Sequence, residues 1–177
     1  MSNIGSIALT KYPPPPPNKL WGLIKLEEAP DVCWRPRCGQ PLCLVEASRD
    51  CELAPGRDEV LRLDTRGQLG LGERCLMPEQ TQGVHICTCD FFKFSLTDGV
   101  ELAVTMCEGV LEGGSWHYHK EERSMEFTLR YQEGEEMGEQ VLCVEIRGLR
   151  GVLGLTHCDG RDNKQKWTWE EYKPYWA

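Results

Sequence analysis

Cysteine and tryptophan residues recur at a fixed spacing along the chain, and this recurrence limits what the chain can fold into. Two segments share the order of an opening cysteine, a closing cysteine and a tryptophan nine residues further on: Cys75, Cys107 and Trp116, and Cys143, Cys158 and Trp167. A fainter copy has Cys33, Cys51 and, at the ninth position, Val60. Self-similarity of this kind indicates one supersecondary unit used several times. The sequence therefore predicts three repeats.

The repeat also predicts how the cysteines and the aromatic anchors are used. We expect each opening cysteine to bridge to its closing cysteine, which gives Cys33–Cys51, Cys75–Cys107 and Cys143–Cys158. Closing loops of roughly fifteen to thirty residues in this way contributes about 3 kcal/mol each in the chain-entropy model. Trp116 and Trp167 are expected to anchor the core, and Gln165, two residues before Trp167, to satisfy turn backbone.

Short apolar segments alternate with turn residues from Leu20 onward, and this pattern predicts the fold class. The segments 60–63, 100–106 and 140–146 are of strand length, and none keeps a helical period over three turns. We expect an all-β domain at 20–177, with repeats at about 20–63, 64–124 and 125–177. Five consecutive prolines, Pro13 to Pro17, favour an extended polyproline II spacer, so 1–19 is interpreted as a proline-rich linker.

Charge and hydropathy argue against two classes of partner. The formal net charge is −8, and the basic residues are dispersed among more numerous acids, whereas nucleic-acid binding needs clustered Lys and Arg. No run of about eighteen apolar residues occurs, and 1–19 lacks the basic-then-apolar order of a secretory signal. We therefore expect no nucleic-acid partner and no direct membrane insertion, and the sequence carries no visible targeting signal.

The cysteine content bears on the cellular compartment. Ten cysteines in 177 residues indicate disulfides in an exported domain, or metal or redox chemistry in a cytosolic protein. This content conflicts with the lack of a signal, so either the chain is the C-terminal part of a longer secretory-pathway protein or its thiols are reduced. We favour the first interpretation.

The repeat motifs resemble those of a known lectin family. The segments that carry the resemblance are Cys143-Val144-Glu145, Gly154 to Gly160, Gln165-Lys166-Trp167, Val100 to Cys107 with Trp116-His117-Tyr118, and Asp64 to Leu69 leading to Cys75-Leu76. They are similar to ricin-B-type (QxW) lectins, and in particular to the C-terminal lectin domain of polypeptide N-acetylgalactosaminyltransferases. The resemblance covers about residues 20 to 170.

This resemblance implies a fold and a function. The fold would be a β-trefoil of three disulfide-stapled repeats, and the ligands would be glycans or glycopeptides that bear GalNAc or galactose. In that family the lectin domain follows a metal-dependent catalytic domain through a linker, in the Golgi lumen. We expect this chain to lack the catalytic domain, to act as a lectin module in the secretory pathway rather than as an enzyme, and to need no cofactor or metal.

In such lectins a sugar site combines an acid two residues after the opening cysteine, an aromatic shortly before the closing cysteine and an Asn just before the Gln. Carboxylate and amide groups suit hydroxyl pairs, and an aromatic ring suits the apolar face of a sugar. The first two repeats depart at every one of these positions: Arg35, Arg49 and Arg57 in the first, and Met77, Thr105 and Gly113-Gly114 in the second. Both of these sites are expected to be lost.

The third repeat keeps enough of the pattern to be the expected site. Its candidate sugar-binding residues are Glu145, His157, Asn163, Lys164 and Gln165. Glu145 would grip sugar hydroxyls, and Asn163 stands one place early. The alternative is a trefoil whose sugar sites have all decayed and which serves as a protein-interaction or structural domain.

Two other groups of residues could bind metal. Cys38, Cys43, Cys87 and Cys89 could offer four thiolates to zinc in an intracellular protein. The alternatives are a further disulfide, either Cys38–Cys43 or one that joins the two loops, or free buried thiols. His117 and His119 lie on one face if they are in a strand, although such pairs are more often surface residues. No catalytic motif or phosphate-binding loop stands out.

Overall fold

The computed structural model describes residues 19–38, 43–48, 51, 60–79, 96, 98–105, 107, 113–133, 135–148 and 151–174, with the backbone alone at 131–133. The proline run Pro13 to Pro17 and the residues Arg49, Arg57, Cys87 and Cys89 lie outside these ranges. The predictions made for them therefore remain predictions.

The described residues form an all-β structure, as the sequence predicts. The strands are β1 (Lys19–Leu26), β2 (Ala29–Cys38), β3 (Cys43–Ser48), β4 (Leu61–Asp64), β5 (Leu69–Leu71), β6 (Arg74–Pro78), β7 (Val100–Thr105), β8 (Gly114–His119), β9 (Ser124–Glu133), β10 (Glu136–Arg147), β11 (Val152–His157) and β12 (Trp167–Glu171). They belong to one antiparallel sheet, and a short 3-10 helix, Asn163–Gln165, precedes β12. In the part of the chain that the structure describes, no helix has the length and apolar character needed to span a membrane.

Alternating burial explains why these segments are strands. In β9 the side chains of Met125, Phe127 and Leu129 are buried, whereas Glu126 and Thr128 between them are partly exposed. Successive side chains of a strand point to opposite faces, so this alternation places one face of the hairpin in the core. The same face of β8 contributes Trp116, whose ring lies 5.0 Å from that of Phe127.

The three cysteine segments have the same strand register. In each case an opening cysteine on one strand lies opposite a hydroxyl residue on the next: Cys33 and Ser48 on β2 and β3, Cys75 and Thr105 on β6 and β7, and Cys143 and Thr156 on β10 and β11. The second strands of these hairpins, β3, β7 and β11, also pair with one another in all three combinations. The three hairpins therefore meet around a common point.

The remaining strands connect these hairpins in a cyclic order. The strand that follows each hairpin pairs with the strand that precedes the next one: β4 with β5, β8 with β9, and β12 with β1. The last strand therefore closes against the first. At the contact between β3 and β11, Gly151 has a positive φ of 71° and its carbonyl accepts a hydrogen bond of 2.7 Å from Ala47. A β-carbon at Gly151 would collide with the Ala47 carbonyl, so the close approach requires glycine.

Two buried tryptophans are bonded to the hairpins in the same way. Trp116 Nε1 donates to the carbonyl of Leu76, and Trp167 Nε1 donates to the carbonyl of Val144, both at 2.9 Å. Each acceptor is the residue immediately after an opening cysteine. Both tryptophans are predicted from the sequence to be core anchors, and the structure confirms this by placing both in the main hydrophobic cluster.

All three predicted disulfides are present. Their Cα atoms are separated by 5.4 Å in Cys33–Cys51, 5.0 Å in Cys75–Cys107 and 4.9 Å in Cys143–Cys158. A fourth disulfide, Cys38–Cys43, joins β2 to β3 at their tip, where the two residues lie opposite each other. A zinc site with four thiolates would need Cys38 and Cys43 as free ligands. Because these two sulfurs are bonded to each other, that alternative prediction is wrong.

Candidate functional site

Gln165 is the centre of the site predicted in the third cysteine segment. It ends the 3-10 helix and its side chain is buried, with 3% exposure for the residue. Its Nε2 donates to Glu145 Oε2 at 3.1 Å and to the His157 carbonyl at 3.0 Å, while its Oε1 accepts from the Asp159 N–H at 2.9 Å. The Gln165 amide therefore connects β10, the end of β11 and the loop that follows β11. These three bonds fix the positions of the three segments relative to one another.

The loop above Gln165 is fixed by its own carboxylates. Asp162 caps the 3-10 helix, since its Oδ1 accepts from the Lys164 N–H at 2.9 Å. Asp159 Oδ1 accepts from the Arg161 N–H at 3.0 Å, and the Cys143–Cys158 disulfide fixes the start of the loop. Asn163 and Lys164 are thereby held on an ordered, exposed tip.

Glu145 offers the carboxylate of this site. Its side chain is 18% exposed, and Arg147 Nε lies 3.9 Å from its Oε1. Arg147 in turn lies across Gly99 and Gly154, where a β-carbon would collide with its side chain. The carboxylate is therefore held between an amide donor and a guanidinium, and a carboxylate has several acceptor positions beyond those used here. Sequence reasoning missed Arg147, although its place two residues after Glu145 on the same strand face was a usable signal.

The aromatic position of the lectin pattern is not filled by a ring. Thr156 stands two residues before Cys158, and its hydroxyl donates to Asp98. The next residue along β11, His157, is exposed and is the ring-bearing residue nearest to Thr156 in the sequence. Because His157 is adjacent to Thr156 on β11, its side chain points to the other face of the strand, and its contact with Gln165 is made by its backbone carbonyl.

The corresponding positions of the other two segments fit the expected loss of their sites. Arg35 lies opposite Glu46 on β3 and brings a cation where an acid is needed. Met77 is buried, with 2% exposure, and points into the core. Neither residue offers a carboxylate to a hydroxyl pair.

The histidine pair on β8 is brought together, as expected for alternate residues of a strand. The rings of His117 and His119 have centroids 4.3 Å apart, and His119 Nε2 lies 2.5 Å from Glu126 Oε2. The ligand atoms of His119, Glu122 and Glu126 fall within 4.8 Å of one another. Lys166 Nζ donates to the Glu122 carbonyl at 2.8 Å, and this neighbouring cation disfavours a metal ion at the cluster.

A concave region lies on a part of the sheet away from the Gln165 site. It is a cavity of about 630 Å³ between β1, β4, the β5–β6 turn and the tip of β2. Its polar and aromatic lining consists of Lys19, Trp21, Arg62, Glu73 and Arg74. We call this region the basic groove. Sequence reasoning missed it, because its residues come from separate segments that share no local pattern.

Arg62 forms the fixed wall of the basic groove. Its guanidinium donates to the carbonyls of Gly72 and Arg74, the latter at 3.0 Å, and lies flat across Gly70, where a β-carbon would collide with it. Burial lowers the pKa of Arg62 from its ordinary value, and the charges of Asp64 and Glu73 partly oppose this effect. The guanidinium is thus a rigid positive charge behind the more exposed Arg74.

Comparison with known proteins relates the chain to one group of enzymes, although no family model matches it. N-acetylgalactosaminyltransferase 7 of Drosophila melanogaster is 25% identical over 176 residues, which are 99% of this chain and 24% of that protein. Probable N-acetylgalactosaminyltransferase 7 of Caenorhabditis elegans is 22% identical over 172 residues, with 97% and 23% covered. The crystal structure of GalNAc-T7 with UDP, GalNAc and Mn2+ aligns with a TM-score of 0.56 and 20% identity, covering 97% of this chain and 26% of that chain.

These findings confirm the resemblance to N-acetylgalactosaminyltransferases that the sequence motifs indicate. The chain spans about a quarter of the length of the curated relatives it matches. The structural likeness shows a shared fold. At 20% identity it carries no information on function.

Proposed function

We propose that this chain is a β-trefoil lectin module of the ricin-B type, which binds GalNAc- or galactose-bearing glycans or glycopeptides and acts by binding rather than by catalysis. The observation that carries the proposal is the arrangement of Gln165 and Glu145. A buried amide, that of Gln165, bonds the largely buried carboxylate of Glu145 and directly follows the exposed Asn163 and Lys164 in sequence. Such a group of planar acceptors and donors at a fixed loop is suited to adjacent sugar hydroxyls.

The recurrent strand pairing supports the trefoil. Three equivalent units around an axis would produce the pairing described above. They would give three hairpins with one register, three second strands that pair with one another, and a cyclic order of the outer strands. The proposed units are the three repeats predicted from the cysteine and tryptophan spacing.

The resemblance to N-acetylgalactosaminyltransferases supports a role close to glycosylation. We propose that the module holds glycosylated protein near a transferase activity, in the Golgi lumen or elsewhere in the secretory pathway. Four disulfides among the described cysteines fit an oxidising compartment of this kind.

A sugar-site-degenerate trefoil is the second candidate function, and one observation favours it. The Glu145 carboxylate already contacts Gln165 and Arg147, and Thr156 stands where a stacking ring is expected. A module of this kind would bind protein rather than sugar.

A titration separates the two candidates. Tryptophan fluorescence of the 177-residue chain is followed while GalNAc, and then a GalNAc-bearing peptide, is added. Saturable binding that requires the sugar supports the lectin, whereas the absence of any saturable response to either ligand rejects it in favour of the degenerate trefoil.

Glu145→Gln tests the assignment of the site. The variant keeps an acceptor for Gln165 Nε2 but removes the charge, so the loop should stay folded. Because hydrogen bonds to charged groups contribute about 1.5–3 kcal/mol, affinity for GalNAc should fall roughly tenfold to a hundredfold. Glu28→Ala, at an exposed glutamate in the β1–β2 turn, is the matched control and should bind as wild type. Unchanged affinity of Glu145→Gln would move the sugar away from this loop.

A further inference from the structure

The basic groove has a charge opposite to that of the protein as a whole. The chain has a formal net charge of −8, yet the described residues that line the groove include the cations Lys19, Arg62 and Arg74 against the single carboxylate of Glu73. Lys19, Glu73 and Arg74 are exposed, and Arg62 is partly exposed. A local excess of positive charge on an acidic protein is complementary to an anionic ligand.

The groove also has an aromatic surface next to these charges. Trp21 on β1 and Arg62 on β4 lie directly opposite each other in the sheet, so their side chains project on the same side. Trp21 is partly exposed and lines the cavity. An indole ring suits the apolar face of a sugar, and a guanidinium suits a carboxylate through two parallel hydrogen bonds.

Two of the three cations, Arg62 and Arg74, contact groups of the protein that limit their positions. Arg62 donates to two backbone carbonyls, and Arg74 Nη1 lies 3.5 Å from Cys43 Sγ at the tip of the β2–β3 hairpin. The Cys38–Cys43 disulfide closes that tip, and Cys38 lines the groove. Because side chains that are ordered beforehand lose less entropy on binding, this arrangement favours a specific ligand over diffuse ion attraction.

From these features we infer that the basic groove binds an acidic oligosaccharide, with a carboxylate at Arg74 and Lys19 and a sugar ring on Trp21. This inference rests on the proposed carbohydrate-binding function, but it places a second ligand away from Glu145. A cavity of about 630 Å³ falls in the usual range for small-ligand sites.

The test compares 3′-sialyllactose with lactose, its neutral counterpart, by isothermal titration calorimetry on the full chain at physiological salt. We expect 3′-sialyllactose to bind at least about tenfold more tightly, and Arg74→Ala to remove most of that advantage. Arg66→Ala, at an exposed arginine in the β4–β5 turn, is the matched control and should retain it. Equal affinities for the two sugars, or an unchanged advantage in Arg74→Ala, would overturn the inference.

Two further measurements distinguish the possible reasons for failure. An acidic peptide of four glutamates that binds as tightly as 3′-sialyllactose would make the groove a peptide site and overturn the inference. In Glu145→Gln the preference for 3′-sialyllactose should persist, even if binding of GalNAc is lost. Retained binding of 3′-sialyllactose by a chain that does not bind GalNAc would support the basic groove and reject the third-segment site. Failure to bind either sugar would reject both.

Discussion

The first and third cysteine segments have the same backbone register but opposite distributions of side-chain size. In the third, Trp167 lies nine residues after the closing cysteine and the small Val144 follows the opening one. In the first, the large Trp34 follows the opening cysteine and Val60 takes the ninth position. The strands pair alike in both, so the register depends on the pattern of burial and not on which partner is large.

The two positions of the tryptophan differ in the hydrogen bond that its ring N–H can make. Trp167 Nε1 donates to the Val144 carbonyl, whereas the buried Nε1 of Trp34 has no partner in the described part of the chain. The two rings meet edge to face, with centroids 5.4 Å apart. The indole N–H of Trp167 is therefore better satisfied than that of Trp34. The difference holds for this pair of rings and not for the whole segments, since the Nε1 of Trp169, two residues after Trp167, is likewise buried without a partner among the described residues.

The largest expected effect is the loss of the disulfide in the third segment. In the chain-entropy model, replacing Cys143 and Cys158 together with serine should lower the free energy of unfolding by about 3 kcal/mol, since the bond closes a loop of fifteen residues. The same change at Cys38 and Cys43, separated by five residues, should cost only about 2 kcal/mol. Guanidinium unfolding under non-reducing conditions measures both. A greater loss at Cys38 and Cys43 would contradict the expected order.

Trp167→Phe should cost about 2–3 kcal/mol. The phenyl ring leaves part of the indole volume empty, and the Val144 carbonyl is left buried without its donor. Unfolding by urea, followed by far-UV circular dichroism, gives the difference from wild type. A cost below about 1 kcal/mol would show that this hydrogen bond contributes little to the third segment.

Tyr118→Phe should cost about 1 kcal/mol near neutral pH, because the hydroxyl donates to the Trp167 carbonyl at 2.8 Å. Burial raises the pKa of Tyr118, with smaller opposing effects from the Trp169 N–H and the charge of Arg123. The unfolded phenol ionises near pH 10 while the folded one keeps its proton, so its stabilising contribution is complete below about pH 10 and is lost as pH rises through the raised pKa.

Unfolding free energies measured on both sides of pH 10 test this effect of Tyr118. The variant should lose less stability than wild type on the alkaline side. Tyr172→Phe, which changes a tyrosine just beyond β12, is the control and should follow wild type. A parallel decline in wild type and Tyr118→Phe would contradict the assignment.

Trp34→Phe should have the smallest effect, within about 1 kcal/mol of wild type. It makes the same change of ring as Trp167→Phe, but it removes a buried N–H that lacks a partner, and this gain offsets part of the lost packing. The measurement that matters is the difference in unfolding free energy between Trp34→Phe and Trp167→Phe, obtained by urea unfolding. If Trp34→Phe costs as much as Trp167→Phe, packing alone governs both positions.

Local patterns account for what could be predicted from the sequence. Alternating burial, as in Met125, Phe127 and Leu129, identifies strands, and the spacing from Cys158 to Trp167 identifies the disulfides and the anchors. The exchange at Trp34 and Val60 was also readable, because a tryptophan directly follows Cys33 where the other segments have Leu76 and Val144.

The basic groove could not be predicted, for a physical reason. Trp21 and Arg62 become neighbours only through the register of β1 and β4, and Arg74 is placed beside them by a turn. The position of Arg147 on the same strand face as Glu145 could be predicted, but the space for its side chain depends on Gly99 and Gly154, which are distant from each other in the chain. Such sites depend on which strands pair, and composition and spacing do not specify that pairing.

The pairing of β12 with β1 also has a topological consequence. Glu171 lies opposite Gly22, and the Tyr172 N–H donates to the Trp21 carbonyl at 3.0 Å, so the first and last described strands are adjacent. The chain could therefore be circularly permuted: a short peptide would join these ends, and new ends would open in the exposed turn from Lys120 to Arg123. A permuted chain of this kind would keep the three cysteine hairpins and carry its ends at the β8–β9 turn, where the Trp167 N–H donates to the Arg123 carbonyl at 2.7 Å. Its stability would test how much that contact stabilises the last strand.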